Sequence, residues 1–258
     1  MTAERLNETE ITRRLGAREL AVRVYACVDS TNSEAKRYAL ARGATPCAFL
    51  AEAQSAGRGR MGRSFYSPEG TGLYLSLLIP AEGALSDAVM LTTGAAVAVR
   101  RAIFQVTGRE TGIKWVNDLY LEGRKVCGIL AESFFVEQKR YVVLGVGVNL
   151  YTEDFPEELR LIAGSLLPQP RAVRNALAAA LLAELYDLTE KLEPDTLMEE
   201  YRAASLVLGR QITYTENGVS RVGRAESVDD RGRLHVRHED GSQAVLASGE
   251  ISLRLNEA

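Results

Sequence analysis

The sequence predicts an α+β protein in which helices flank a mixed or antiparallel β-sheet and a small β-barrel follows at the C-terminal end. Three observations predict this class. Apolar strands and helical stretches alternate in the first half of the chain, hairpin turns follow in the middle, and short strands separated by turns close it. The length of 258 residues suits one large and one small domain, and we predict domains at 1–207 and 208–258.

The first half of the chain is assigned from its apolar patterns. Strands are expected at 22–28, 47–53 and 73–79, and helices at 31–41 and 85–106. Thr31 and Glu34 have the spacing of a capping box, which predicts that Thr31 caps the first of these two helices.

The middle of the chain has the pattern of two hairpins followed by helices. Strands are expected at 113–115, 119–121, 125–135 and 141–150. The last of these is almost wholly apolar, as a strand buried on both faces is. Periodic Leu and Val residues from Val173 to Leu192 then predict a helix that Pro194 ends, and a short helix follows over 195–205.

The C-terminal segment has the pattern of a small barrel. Short strands are expected at 211–214, 221–228, 234–237, 243–247 and 251–255. They alternate with turns at Asn217-Gly218, 230–232 and Asp240-Gly241, which are typical of hairpins.

Composition excludes several classes of protein. The net charge of −3 and the pI of about 5.7 do not favour nucleic-acid binding. We see no 18-residue apolar run and no apolar signal-peptide core, so we expect no membrane span and a cytoplasmic location. The three cysteines, Cys27, Cys47 and Cys127, lie far apart, which argues against a disulfide framework. His235 and His238 have no third ligand beside them, so no metal site is assigned.

A loop rich in glycine and arginine follows the second predicted strand. Residues 57–63 contain three glycines and three arginines. Glycine lets the backbone approach a ligand closely, and the planar guanidinium forks suit carboxylate and phosphate. The alternative is a mobile, solvated surface loop. The chain has no Gly-Lys-Ser/Thr of a Walker A loop, and Gly145-Val146-Gly147 lacks the third glycine of a dinucleotide-binding fingerprint.

Two lysines flank a predicted hairpin in otherwise apolar strands. Lys114 belongs to Lys-Trp-Val-Asn-Asp, and Lys125 follows the turn at Gly123. A lysine near a sheet core is costly without an anionic partner, which a bound carboxylate or phosphate could supply. The alternative makes Lys114 and Asp118 an ordinary ion pair and Lys125 a solvated edge residue.

A third candidate group, Asp29-Ser30-Thr31-Asn32, lies at a predicted strand-to-helix junction. Its hydroxyls and amide could hydrogen-bond a neutral polar ring. They could equally serve only to cap the helix.

Together these segments resemble biotin–protein ligases, from about residue 6 to residue 256. The matching blocks are 29–32, Gln-x-x-Gly-Arg-Gly-Arg-x-Gly-Arg at 54–63, Ser67-Pro68, 72–76, Lys-Trp-x-Asn-Asp at 114–118, Gly-Arg-Lys-Val-x-Gly-Ile-Leu at 123–130, Gly-x-Gly-x-Asn at 145–149 and 249–254. Their order and spacing are more specific than any one block. Three positions depart from the family pattern: Met61 replaces a basic residue, Phe65 a tryptophan and Val116 a common proline.

The resemblance implies a fold, a reaction and its partners. The fold is a class II synthetase-like catalytic domain of the biotin/lipoate ligase type with an SH3-like C-terminal barrel. ATP, with Mg²⁺, activates biotin to biotinyl-5′-AMP, and biotin is then transferred to a lysine of a biotin carboxyl carrier protein. Only about twenty residues precede the first strand by its apolar pattern, so we expect the monofunctional type without a DNA-binding domain. It is expected to be a monomer or homodimer without DNA or membrane partners.

The resemblance also implies roles for individual residues. Catalytic roles fall to Lys125, Arg60, Asp118 and Lys114. Biotin contacts are Ser30, Thr31, Asn32, Gln54, Gly57, Arg58, Gly59, Arg60, Trp115, Lys125, Gly128, Gly145 and Gly147. Contacts to ATP or the adenylate are Asn32, Arg58, Arg60, Arg63, Phe65, Lys114, Asn117, Lys125 and Asn149. Cations are needed because the reaction brings two anions together.

Three alternatives remain open at this point. A lipoate or octanoate ligase or transferase shares this type of fold, but the Gly-Arg-Gly-Arg loop and the barrel argue against it. A non-catalytic regulatory relative is a second alternative, against which Lys114, Asp118 and Lys125 argue. The third is nucleic-acid binding through the arginines of the barrel, where interleaved acidic residues favour a solvated face instead.

Overall fold

The fold was analysed in a computed structural model, which describes residues 4–43, 45–81, 87–191, 193–216, 218–247, 249 and 251–253. Five helices are described: α1 (Glu8–Leu15), α2 (Thr31–Arg42), α3 (Ala88–Thr107), α4 (Arg174–Glu190) and α5 (Pro194–Ala203). Twelve strands form two sheets. The α+β class predicted from the sequence is confirmed, whereas the division at residue 207 stays a prediction.

The larger sheet is mixed and has seven strands. They are β1 (Ala21–Val28), β2 (Cys47–Gln54), β3 (Gly72–Pro80), β4 (Gly112–Lys114), β5 (Asp118–Leu121), β6 (Arg124–Val136) and β7 (Lys139–Asn149). Their order across the sheet is β1-β2-β3-β7-β6-β5-β4. Only β1 and β2 run parallel, and α2 connects them, whereas the other neighbours are antiparallel.

The smaller sheet is antiparallel and has the five strands of the predicted barrel. They are β8 (Gln211–Glu216), β9 (Val219–Val228), β10 (Leu234–Arg237), β11 (Gln243–Leu246) and β12 (Ile251–Leu253), in the order β11-β10-β9-β8-β12. The predicted last strand extends to residues 254–255, and the predicted turn includes Asn217; these lie outside the described residues.

The two faces of the larger sheet pack against different helices. In β3, Leu73, Leu75 and Leu77 alternate into the large core that α3 and α4 cover. Leu78 belongs to a smaller core beneath α2. Because side chains alternate along a strand, Ser76 lies on the same face as Leu78, which is the face that carries α2. That face is the one on which the cavity described below opens.

Two predicted helix boundaries were wrong, at the start of α2 and at Pro194. Ser30, not Thr31, is the N-cap of α2, and Glu34 does not close a capping box, because its side chain pairs with Arg37. Pro194 is the first residue of α5, where its fixed φ suits a helix start, rather than the end of the preceding helix. Leu85 and Leu192, expected at helix ends, lie outside the described residues.

Among the described residues one helix, α3, is long and apolar enough to cross a membrane by length and composition alone. Two-thirds of its most apolar window, 67%, is buried inside the protein. Its small and apolar side chains, such as Ala95, Val99 and Ala102, pack in the large core. This burial is what a core helix requires.

Candidate active site

A cavity opens on the sheet face that carries α2, beneath the glycine- and arginine-rich loop. The described residues that line it are Ser30, Thr31, Asn32, Gln54, Arg58, Gly59, Arg60, Met61, Arg63, Ser64, Phe65, Leu75, Lys114, Trp115, Asn117, Asp118, Lys125, Gly128, Ile129, Leu130, Gly145, Val146, Gly147, Gly249 and Ile251. Among these, five side chains are cationic and one is a carboxylate. Such a lining attracts anions.

The loop over the cavity folds as a short hairpin. Phe65 N donates to Gly57 O at 2.9 Å, and Gly59 N donates to Arg63 O at 2.7 Å. Met61 adopts a left-handed conformation at φ 54°, which turns the chain at the tip. The arginines of the hairpin therefore extend from a backbone that is held by its own hydrogen bonds.

Two arginines bond this hairpin to residues outside it. Arg58 Nη2 donates to the Glu132 carboxylate of β6 at 3.0 Å. Arg60 Nη1 donates to Asn117 Oδ1 at 3.0 Å. Asn117 is itself held because its Nδ2 donates to the main-chain carbonyl of Ile129 at 2.8 Å. The loop is thus anchored through its cationic side chains.

A neutral polar network forms one end of the cavity. Gln54 Oε1 accepts from Thr31 N at 2.8 Å, and Gln54 Nε2 donates to Ser67 Oγ at 2.8 Å. Ser76 Oγ lies 2.7 Å from Thr31 Oγ1 and 2.6 Å from Asn32 Oδ1. Ser30, the N-cap of α2, makes no capping hydrogen bond through its side chain. Buried neutral groups of this kind suit a polar, uncharged ligand ring.

Lys125 and Asp118 form the charged centre of the cavity. Lys125 Nζ lies 2.7 Å from Asp118 Oδ1, and the lysine side chain is 28% exposed. The alternative in which Asp118 pairs with Lys114 and Lys125 is a solvated edge residue is wrong. Lys114 is directly opposite Asp118 in the strand register, yet its Nζ lies 5.5 Å from the centre of the Tyr120 ring.

The smaller sheet completes the cavity wall. Gly249 and Ile251 line the cavity beside Trp115. The Trp115 indole N–H donates to Gly232 O at 2.9 Å, in a turn between β9 and β10. Trp115 follows β4 rather than belonging to it, contrary to the predicted strand at 113–115. Trp115, which was expected to line the ligand site, therefore also connects the two sheets.

Glycines on β7 let side chains lie across the sheet. A Cβ at Gly145 would lie 2.9 Å from Asn32 Cγ and closer still to its Oδ1. A Cβ at Gly147 would lie 2.5 Å from the Phe65 ring. The glycines expected to contact a ligand thus have a second function, since any side chain there would displace Asn32 or Phe65.

Most residues predicted for the site lie together in this cavity, and two do not line it. A Cβ at Gly57 would meet Phe65 O and Ser67 Oγ, so this glycine allows close packing within the hairpin. Asn149 ends β7, is buried, and its main-chain carbonyl accepts from Leu166 N. The ligand contacts assigned to the whole predicted set stay predictions.

Sequence reasoning missed Glu132 and Ser76. Glu132 is ionised: its burial opposes the charge, but hydrogen bonds from Lys36 and Asn32 outweigh that and hold the pKa of Glu132 below its usual range. An acid in an otherwise apolar strand was the available signal, because a buried charge needs partners. Ser76 gave only the weak signal of a polar residue in an apolar strand.

The described residues form no cluster of three or more His, Cys, Asp or Glu side chains that could hold a metal ion. The three cysteines are free. Burial raises the pKa of the Cys127 thiol, which keeps it protonated behind the cavity.

Comparisons with known proteins agree with this geometry. The profile of the biotin/lipoate A/B protein ligase family matches residues 24–149, and the profile of the biotin protein ligase C-terminal domain matches residues 207–254. The biotin–[acetyl-CoA-carboxylase] ligase of Paracoccus denitrificans is 34% identical over 86% of this chain and 97% of its own. The corresponding enzyme of Mycobacterium tuberculosis is 36% identical over 79% and 77%.

A solved structure is also similar. The biotin protein ligase from Aquifex aeolicus in complex with biotin and ATP superposes with a TM-score of 0.77 and 26% identity, covering 90% of this chain and 98% of its own. Two Bacillus relatives described as bifunctional ligase/repressor are 33% identical, and the matched part spans about 65% of their length.

Proposed function

The chain belongs to the biotin protein ligase family, and from that premise we propose that it activates biotin with ATP and transfers it to a lysine of a carrier protein. Relatives that align over most of their own length carry the name biotin–[acetyl-CoA-carboxylase] ligase. The observation that supports the proposal most is the Lys125–Asp118 pair, set among cations in a cavity with a neutral polar end.

In the first step, an oxygen of biotin's carboxylate attacks the α-phosphorus of ATP and pyrophosphate leaves. Biotin's ureido ring fits the neutral end, where Ser30, Thr31 and Gln54 offer donors and acceptors. Lys125 and Arg60 line the cavity, and in this proposal they contact the carboxylate and the phosphate and offset the repulsion between the two anions. Fixed cations lower such a barrier because they require no reorganisation during the reaction.

In the second step, the amine of an acceptor lysine attacks the acyl carbon of biotinyl-5′-AMP. The new C–N bond forms, the bond to the phosphate oxygen breaks, and AMP leaves with the bonding electrons. The amine must be neutral to attack, so it needs a group that orients it and takes its proton. We assign this role to Asp118, whose carboxylate becomes available when its partner Lys125 moves to the phosphate.

We propose that magnesium enters with ATP. Proteins commonly hold Mg²⁺ through substrate phosphates and one or two carboxylates, and Asp118 is the carboxylate among the described lining residues. The residues thus fit MgATP as a substrate better than a dedicated metal site. Magnesium, when bound, neutralises phosphate charge.

We propose a biotin carboxyl carrier protein as the partner, and neither DNA nor a membrane. Three of the barrel arginines that could contact nucleic acid form ion pairs with acids within the barrel. These pairs are Arg221–Glu216, Arg233–Asp229 and Arg237–Glu226. We propose the cytoplasm as the location, since ATP is available there, and a monomer or homodimer as the assembly.

The test is biotin-dependent exchange of labelled pyrophosphate into ATP. Wild-type protein should catalyse exchange with biotin and not with lipoate. Lys125→Ala should lower the rate about a hundredfold, as one such contact contributes about 3 kcal/mol. Lys139→Ala, which removes an exposed lysine far from the cavity lining, is the matched control and should keep full activity. Exchange with lipoate alone would contradict the proposal.

A further inference from the structure

Glu132 is a carboxylate that the proposed reaction does not use. Its side chain is 17% exposed and is not among the cavity lining. Asn32 Nδ2 lies 2.8 Å from its Oε2, while Lys36 Nζ at 2.8 Å and Arg58 Nη2 at 3.0 Å share its Oε1. One carboxylate therefore joins strand β6, helix α2 and the hairpin loop.

The charge of Glu132 is balanced from outside the cavity. A fixed negative charge beside an anion site weakens anion binding unless a cation offsets it. Lys36, one turn after Asn32 on α2, is a partner that does not line the cavity. Glu132 can therefore stay ionised, as its lowered pKa indicates, without repelling an incoming anion strongly.

Arg58 contacts Glu132 from the cavity side and is only partly engaged. Its side chain is 49% exposed, and Nη2 makes the bond to Glu132. A guanidinium carries five N–H donors in a fixed plane. Its bond to Glu132 uses one nitrogen, Nη2, and the other nitrogens also carry N–H donors, so the same arginine can hold the hairpin and meet a ligand.

We infer that Glu132 is a positioning residue that holds the hairpin over the cavity through Arg58. The inference rests on the proposed function, in which the ligands are biotin and ATP. Glu132 also fixes the Asn32 amide, which Ser76 holds from the other side. A loop that is already held in place loses less conformational entropy when a ligand binds. Glu132 should therefore affect substrate affinity rather than the chemical step.

Glu132→Gln tests this directly, because glutamine keeps the shape and can still accept from Asn32. The KM for biotin should rise about tenfold, the size expected for a partly exposed charge-assisted bond. The kcat should change less than about twofold, since Lys125 and Asp118 are untouched. Glu34→Gln is the matched control: it removes a carboxylate of α2 that pairs with Arg37 away from the cavity, and KM should not change.

A double-mutant cycle separates positioning from general damage. Arg58→Ala should raise the KM for biotin by at least as much as Glu132→Gln does. In the Arg58→Ala background, Glu132→Gln should raise KM by less than about twofold more, because the two residues act through one contact. Glu132→Asp, which keeps the charge on a shorter stem, should give an intermediate KM. If Glu132→Gln has a lower thermal unfolding midpoint than Glu34→Gln, the KM of Glu132→Asp is used as the test instead.

The outcomes are distinct. A KM increase that disappears in the Arg58→Ala background supports the inference. An unchanged KM in Glu132→Gln, or an equal increase with and without Arg58, overturns it while leaving the proposed function intact. Absence of biotin-dependent exchange in wild-type protein instead overturns the proposed function.

Discussion

Replacing Gly145 by alanine places a methyl group against one of the best-held side chains in the site. The new Cβ would lie 2.9 Å from Asn32 Cγ and 3.0 Å from its Nδ2. Asn32 is 4% exposed and is bonded to Ser76 and to Glu132, so it has little room to rotate while keeping both bonds. We therefore expect Asn32 to lose these two hydrogen bonds.

The expected change in the free energy of unfolding follows from the two hydrogen bonds that Asn32 would lose. The neutral bond to Ser76 contributes about 1 kcal/mol, and the bond to the charged Glu132 about 1.5–3 kcal/mol. Alanine in a strand regains about 0.5–1 kcal/mol relative to glycine. The free energy of unfolding should thus fall by about 1.5–3.5 kcal/mol, measured by urea denaturation followed by circular dichroism.

The matched background is Asn32→Ala, which removes the side chain that the methyl group displaces. In that background Gly145→Ala should raise the free energy of unfolding by about 0.5–1 kcal/mol, because the clash is gone and only the gain of alanine over glycine in a strand remains. An undiminished loss in the Asn32→Ala background would refute the reasoning. So would a Gly145→Ala protein as stable as wild type.

Three further predictions concern stability, each measured by chemical denaturation. Trp115→Phe leaves the buried carbonyl of Gly232 without its donor and should cost about 1–3 kcal/mol; an equally stable variant would contradict this. Arg174→Met leaves Glu52 buried without its ion-pair partner and should cost about 3–5 kcal/mol; a variant as stable as wild type would contradict this. Burial opposes the charge of Asp229, but hydrogen bonds within its turn lower its pKa from 3.8 to about 2. The stability from this group is therefore complete above pH 3.8 and lost as pH falls through about 2, a dependence that Asp229→Asn should remove.

The sequence was informative where a pattern is local. The apolar runs of β3 and β7 predicted these two strands, because burial on both faces selects continuous apolar residues. The turn at Gly123 predicted the hairpin of β5 and β6. The failed capping box at Thr31 shows the limit. Its backbone N–H donates to Gln54, a residue 23 positions away, so a tertiary contact replaced the local one.

The candidate site was predictable as a set of residues, but its pairing was not. One alternative paired Asp118 with Lys114, its neighbour in the hairpin, yet Asp118 pairs with Lys125 across a register shift between Leu119 and Tyr120. The position of Glu132 likewise depends on contacts with residues 74 to 100 positions away. Such pairings depend on sheet register and helix docking, which residue spacing does not encode.

The measurement that tests the central claim most directly is transfer to an acceptor. Purified protein is incubated with biotin, MgATP and a biotin carboxyl carrier domain, and the domain is weighed by mass spectrometry. The account predicts a mass increase of one biotinyl group on a single lysine, dependent on ATP and lost in Lys125→Ala. A carrier domain of unchanged mass, under conditions in which an established biotin ligase modifies it fully, would contradict the account.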